Sequence, residues 1–276
     1  MNNKVAFIGA GNMNRAIIIG LIKNGVSPTN IIVSNPSPEK REALASEYGI
    51  KQTASNIEAA SYADYIVLGV KPHLIASVCE EFADTIDISK KCFISVAAGT
   101  TMAQIQSALG ATQADNGLAV IRSMPNTPSQ LGLGVSGAYA SPQVSDEQKA
   151  FADQLMKATG IVKWLSTEAE IDHIIAVTGS SPAYFFLFME AIAAEAERLG
   201  FSAQEARELV QQTALGAAHM VAENDIPIGQ LRENVTSKGG TTQAALNTFN
   251  QGGLSDLVSD AMQAAISRAK EMAKGE

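Results

Sequence analysis

Cysteine is almost absent: Cys79 and Cys92 are the only two in 276 residues. So sparse a pair cannot make a disulfide framework for a chain of this size, and its spacing matches no metal-ligand pattern. Both thiols are therefore expected in the core of a protein kept in a reducing compartment. Charge is thin as well, at 17% of residues, and 20 Lys and Arg against 28 Asp and Glu leave a formal net charge of -8. That sign is wrong for a surface that neutralises phosphate backbones, so no nucleic acid partner is expected. Histidine is scarce. His73, His173 and His219 stand apart with no ligand at zinc spacing, and no metal site is expected. A Gly-x-Ser-x-Gly elbow and a Cys-His pairing are also missing, which removes support for nucleophilic hydrolysis.

Long apolar runs free of breakers are lacking too. The longest charge-free stretch, Ser123 to Ser145, contains Pro125, Pro128, Pro142 and several glycines, so it cannot be a membrane helix. At the N-terminus the run VAFI (5–8) stops at Gly9, too soon for the core of a signal peptide. The expectation is a soluble, cytoplasmic protein with no membrane partner. What is present is 46% hydrophobic residue content, enough for one or two globular domains.

VAFI reads as a buried strand, and the segment GAGNMNRAIIIGLIKNG that follows reads as a glycine loop leading into a helix closed by Gly25. The alternation continues through IIVS (31–34), a helix from Pro38 to Tyr48, YIVLGV (65–70), a helix around Leu74 to Phe82, CFISVA (92–97) and LAVIRS (118–123). Such alternation predicts an α/β domain with a parallel sheet and helices on both faces. Two shorter strands, 134–140 and 161–165, flank a helix from Asp146 to Ala158 and are expected to close the sheet, ending the first domain near Leu165. Beyond it, 167–177, 183–199, 203–221 and 254–273 have helical periodicity and no convincing strand. The organisation predicted is thus 1–165, a Rossmann-type dinucleotide-binding domain, and 166–276, an all-helical domain. Within the second, PAYFFLFMEAIAAEAE is apolar nearly all round in its first turns, more than a small monomeric domain can hide, so an obligate dimer is expected to bury it.

Gly9 to Asn14 lies between strand and helix, where the first glycine permits a tight turn and the second admits a pyrophosphate to the backbone. The third fingerprint position, usually Gly or Ala, is Asn14, and an ordinary βα turn is the plainer alternative. Where an NAD site would place Asp or Glu after the second strand, the chain has Ser34-Asn35-Pro36-Ser37, with Lys40 and Arg41 close behind. Hydroxyl, amide and cationic groups suit a 2′-phosphate, so NADPH is favoured, with NADH less so. Val70-Lys71-Pro72, Ala97-Ala98-Gly99 and 122–128 end further strands at the edge where ligands of open α/β folds bind. Lys71 has two readings there, a surface lysine or a cofactor contact.

In the helical region, Glu233 to Thr242 brings Gly239 and Gly240 together at a helix start, with hydroxyls on Thr236, Ser237, Thr241 and Thr242. Unpaired backbone N–H groups and the positive end of a helix dipole suit a small anion such as a carboxylate. The competing reading is a capping turn with Thr241 as N-cap. A second segment, Val177 to Tyr184, has good helix-start chemistry in Pro182 and equally suits a hinge beside the cofactor.

Assembled in order, FIGAGNM (7–13), LGVKPH (68–73), SVAAGT (95–100), RSMPNTP (122–128), GSSPAY (179–184) and VTSKGGTT (235–242) show that the chain resembles the pyrroline-5-carboxylate reductase family over nearly its whole length. It departs from the family's pattern at Asn14, Ser181 and Lys238, where Ala, Gly and Pro are usual. The resemblance implies NAD(P)H-dependent reduction of 1-pyrroline-5-carboxylate to L-proline, the last step of proline synthesis. It implies that Ile8, Gly9, Ala10, Gly11, Asn12, Met13, Asn35, Asn56, Val70, Lys71, Pro72, Ala97, Ala98 and Gly99 contact NADPH, with Ser34 beside them. It implies that Ser237, Gly239, Gly240, Thr241 and Thr242 hold the substrate carboxylate, and that Thr242 is the catalytic donor toward the imine nitrogen. A homodimer with interface active sites is implied as well, and larger rings of dimers occur in the family.

Two other classes compete. The β-hydroxyacid dehydrogenases rely on a lysine in their helical part, and no lysine lies between Lys163 and Lys238. An NADPH-binding sensor that merely dimerises would have a broken substrate loop, whereas VTSKGGTT is intact.

Overall fold

The computed structural model describes residues 3–111 and 117–274. Two compact units emerge, Met1–Ser180 with Ala265–Glu276, and Ser181–Ala264.

In the first unit the apolar runs become strands β1 (Val5–Ile8), β2 (Ile31–Ser34), β4 (Tyr65–Leu68), β5 (Cys92–Ser95) and β6 (Ala119–Met124). With β3 (Lys51–Thr53), β7 (Gly134–Ala140) and β8 (Gly160–Trp164) they form one eight-stranded sheet ordered β3-β2-β1-β4-β5-β6-β7-β8. Alternate side chains of each strand face opposite sides, and both sides are apolar. Val5, Phe7, Ile31, Val33, Val67 and Ile94 pack with Ile17 and Leu21 of α1 (Asn12–Lys23) and with Phe151 and Leu155 of α6 (Asp146–Lys157). Ala6, Ile8, Ile32, Ile66, Leu68 and Phe93 pack with Ala59 of α3 (Asn56–Tyr62), Phe82 of α4 (Pro72–Thr85) and Ile105 of α5 (Met102–Ala108). Two-sided burial is why these strands read as continuous apolar runs rather than as an alternation.

The sheet is not wholly parallel, as the sequence led us to expect: β7 runs antiparallel to β6, with Ile121 opposite Ala140. Only a short 3-10 turn, Thr127–Leu131, separates the two strands, too little chain for the crossover that a parallel partner requires. The helix α6 supplies that crossover next, and β8 pairs parallel to β7. The unit also runs past Leu165. Ile171 of α7 (Glu170–Ile174) and Ala176 in the π turn Ile175–Gly179 are both buried within it.

The second unit is helical throughout its described residues: α8 (Ser181–Arg198), α9 (Ala203–Ala222), α10 (Ile228–Asn234), α11 (Thr241–Gln251) and the first part of α12 (Leu254–Lys274). Ser202 opens α9 with a capping box to Glu205. No residue of α8 is buried, and Phe185, Phe186 and Leu187 are each about two-thirds exposed.

Candidate functional site

Most of the residues expected to bind the nucleotide gather at the carboxyl edge of the first unit's sheet, and hydrogen bonds link Gly9 to Ser34, Ala10 to Asn35 and Ser34 to Asn56. Gly9 leaves β1 at φ +96°, and a β-carbon there would sit 2.9 Å from the Gly69 carbonyl oxygen, so only glycine fits. Its N–H donates to the Ser34 carbonyl at 2.8 Å, and the Ala10 N–H donates to Asn35 Oδ1 at 3.1 Å. Gly11 caps α1 in extended conformation with no side-chain cap, which leaves the first amides of α1 open to a phosphate. Ser34 is fully buried and donates to Asn56 Oδ1 at 2.8 Å, so it aims Asn56 rather than facing a ligand itself. Ile8 is equally buried, and its carbonyl accepts from Asn14 Nδ2 and the Gly69 N–H.

Arg41 returns from α2 (Pro38–Tyr48) to donate to the carbonyls of Asn35 at 3.1 Å and Pro36 at 3.2 Å. Its Nε donates to Gln52 Oε1 at 2.7 Å. The guanidinium is thus held beside the turn that replaces the acidic residue of an NAD site, and this arrangement fits a 2′-phosphate. Beyond β4, Val70 is half-buried while Lys71 and Pro72 are exposed at the start of α4. Ala97, Ala98 and Gly99 follow β5, and Gly99 has φ +74°.

The end of β6 and the residues just after it make structural bonds. Arg122, buried, donates to Glu168 Oε1 at 2.6 Å, and the same oxygen accepts the Met102 N–H at 2.6 Å. Asn126 accepts from the Val135 N–H at 2.9 Å and donates to the Thr178 carbonyl at 3.0 Å, so it holds the π turn. Glu168 carried no signal in the sequence, because its two partners lie far away along the chain.

In the second unit the loop 235–240 joins α10 to α11. The N-cap of α11 is Gly240, not Thr241, and no side chain caps the helix. Gly240 donates to the Ser237 carbonyl at 3.0 Å and Gly239, at φ +75°, donates to Gln243 Oε1 at 2.6 Å, which folds the loop back on the helix start. Glycine without a side chain leaves the amides of Thr241, Thr242 and Gln243 without a side-chain cap among the described residues, and Ser237, Thr241 and Thr242 are exposed around them. Three convergent N–H groups with adjacent hydroxyls can hold a carboxylate, which a Thr241 cap would have blocked.

Comparison with known proteins finds relatives along nearly the whole chain. Residues 168–272 match the family model described as pyrroline-5-carboxylate reductase dimerisation, and residues 4–99 match one described as NADP oxidoreductase, coenzyme F420-dependent. A pyrroline-5-carboxylate reductase of Vibrio alginolyticus is 52% identical over 99% of this chain and 98% of its own. A solved pyrroline-5-carboxylate reductase from Coxiella burnetii superposes with a TM-score of 0.92 at 43% identity, covering 99% of both chains. The pyrroline carboxylate reductase of Plasmodium falciparum, solved with NADP bound, gives 0.85 at 27% identity over 99% of this chain and 98% of that one. Among the described residues the stretch Glu170–Arg198 is long and apolar enough to cross a membrane, and it falls inside the dimerisation match. These matches span nearly every residue of the chain, its nucleotide loop and its helical unit alike, and on them it belongs to the pyrroline-5-carboxylate reductase family.

Proposed function

We propose that the protein reduces 1-pyrroline-5-carboxylate to L-proline, with NADPH preferred to NADH, as a cytoplasmic homodimer. The observation that carries this reading is the uncapped start of α11, where three backbone amides and the hydroxyls of Ser237 and Thr242 face outward together. Family membership supplies the reaction; this loop fits the substrate's carboxylate.

The nucleotide side of the reading is supported by the Gly9 turn, the open amides at the start of α1, and Asn35 and Asn56. A reduced nicotinamide held there would supply hydride chemistry toward the imine carbon. The chain's own residues supply position and a proton path. Amides of Thr241, Thr242 and Gln243 hold the carboxylate, so the five-membered ring presents one face. Thr242 donates a hydrogen bond to the imine nitrogen, which sharpens the carbon's electrophilicity and steadies the amine as its lone pair forms. A hydroxyl this weakly acidic orients and relays, and the proton that completes the amine comes from solvent through it. No strong general base is needed.

The exposed apolar face of α8 supports the dimer, and two free buried cysteines suit the cytoplasm. A steady-state assay with 1-pyrroline-5-carboxylate and each nicotinamide cofactor tests the proposal. Turnover with NADPH is expected, and its absence in folded protein would refute the reading.

A further inference from the structure

We infer that Asn14 is a positioning residue for the nucleotide, gripping one peptide unit of the Gly9–Gly11 loop that Asn35 grips from the other end. The inference rests on the nucleotide reading above. The Gly9 carbonyl and the Ala10 N–H belong to a single planar unit. Asn14 Nδ2 donates to the carbonyl end at 2.7 Å, and the N–H end donates to Asn35 Oδ1 at 3.1 Å. The same Nδ2 donates to the Ile8 carbonyl at 3.1 Å, which also accepts from the Gly69 N–H at 3.0 Å. One side-chain amide from α1 thus clasps two successive peptide planes of the loop. Glycine at φ +96° has little intrinsic preference to hold those planes, so bonds from outside the loop must do it.

Asn14 is 1% exposed, and its Oδ1 has no donor among the described residues. A buried acceptor without a partner is costly, and a small apolar side chain at this site would avoid the cost. The donor end therefore accomplishes something that packing alone does not. Because the side chain is buried, its effect on a nucleotide passes through the loop: turning the Gly9–Ala10 plane would break the bond to Asn35 and re-aim the amides that open α1. That bond also joins the loop to the turn held by Arg41, so the diphosphate and 2′-phosphate ends of the cofactor would be set in register by one peptide unit.

The test uses full-length Asn14→Ala and Asn14→Asp, with NADPH dissociation constants from nucleotide fluorescence, full kinetics and thermal midpoints. For Asn14→Ala, Kd and KM for NADPH should rise about five- to twentyfold, the loss expected from one or two hydrogen bonds. At saturating NADPH, kcat and the imine KM should stay within about twofold of wild type. Asn14→Asp sets an acceptor against two carbonyls and should be weaker still; if it does not fold, the alanine variant decides alone. An unchanged NADPH Kd in folded Asn14→Ala, or equal losses in kcat and both KM values, would overturn the inference while leaving the reductase reading intact. A wild-type protein that binds no pyridine nucleotide would overturn both.

Discussion

The side-chain amide of Asn14 fills the space that a β-carbon on residue 69 would need, so Asn14 requires glycine at that position. Gly69→Ala should destabilise the protein by about 1–3 kcal/mol, the usual cost of overpacking a tight core. Asn14→Ala in the same chain should relieve most of that loss. A double-mutant cycle on thermal unfolding checks the coupling, and additive effects would refute it.

Arg41 should set the cofactor preference. Arg41→Ala is expected to lower kcat/KM with NADPH about tenfold or more, as loss of a charge-assisted contact does, while hardly changing it with NADH. Equal losses with both nucleotides would place Arg41 outside 2′-phosphate recognition.

Thr242→Ala should reduce kcat by up to about 10²-fold, the low end of acid-base contributions, without loss of NADPH affinity or thermal stability. Stability is expected to hold because Gly240, not a threonine, caps α11. A cyclic imine of equal ring size without its carboxylate should be a far poorer substrate. If it reacts equally well, the α11 amides do not read an anion.

The apolar face of α8 should be where two copies meet. Leu187, 66% exposed in the single chain, is expected to become buried on association. Leu187→Glu should yield a monomer by light scattering that binds NADPH but has little reductase activity. A fully active monomer would refute this.

Burial pushes the thiols of Cys79 and Cys92 up to about 12. Neither should react with a thiol reagent in native protein at pH 8, and both should react after denaturation. The raised values also fix a sign: the stability that these thiols contribute is complete below the ordinary thiol range and is lost as the pH climbs toward 12. Rapid labelling of native protein would contradict the buried assignment.

Much of this was legible in the residues, for physical reasons that also mark where reading stops. Strands covered on both faces announce themselves as apolar runs, so β1, β2, β4, β5 and β6 were found with nearly correct bounds. The edge strand β3 is Lys51-Gln52-Thr53, two of its three residues exposed, and nothing in its pattern sets it apart from a loop. Helix α10 was missed because its seven positions hold only Ile228 and Leu231 as apolar residues, too short a pattern to register as helical periodicity. The π turn at Ile175–Gly179 straddles the expected helix 167–177 and the segment from Val177 expected as a helix start or hinge, and Asn126, which holds its Thr178 carbonyl, lies outside any local window. Asn14 was visible as a departure from the fingerprint, but the carbonyls it grips converge only when β1, α1 and β4 are in place.

The last turns of α12 rejoin the first unit, where Gln104 Nε2 donates to the Ala273 carbonyl at 3.1 Å and Met272 is the nearest neighbour beside Gly99. On the ribosome this means that the first unit is completed only after the second has been made. The helical residues 181–264 must be synthesised before the last turns of α12 can come to rest beside Gly99. The first unit thus spends the helical unit's entire translation time without the segment that borders α5 and the Gly99 turn.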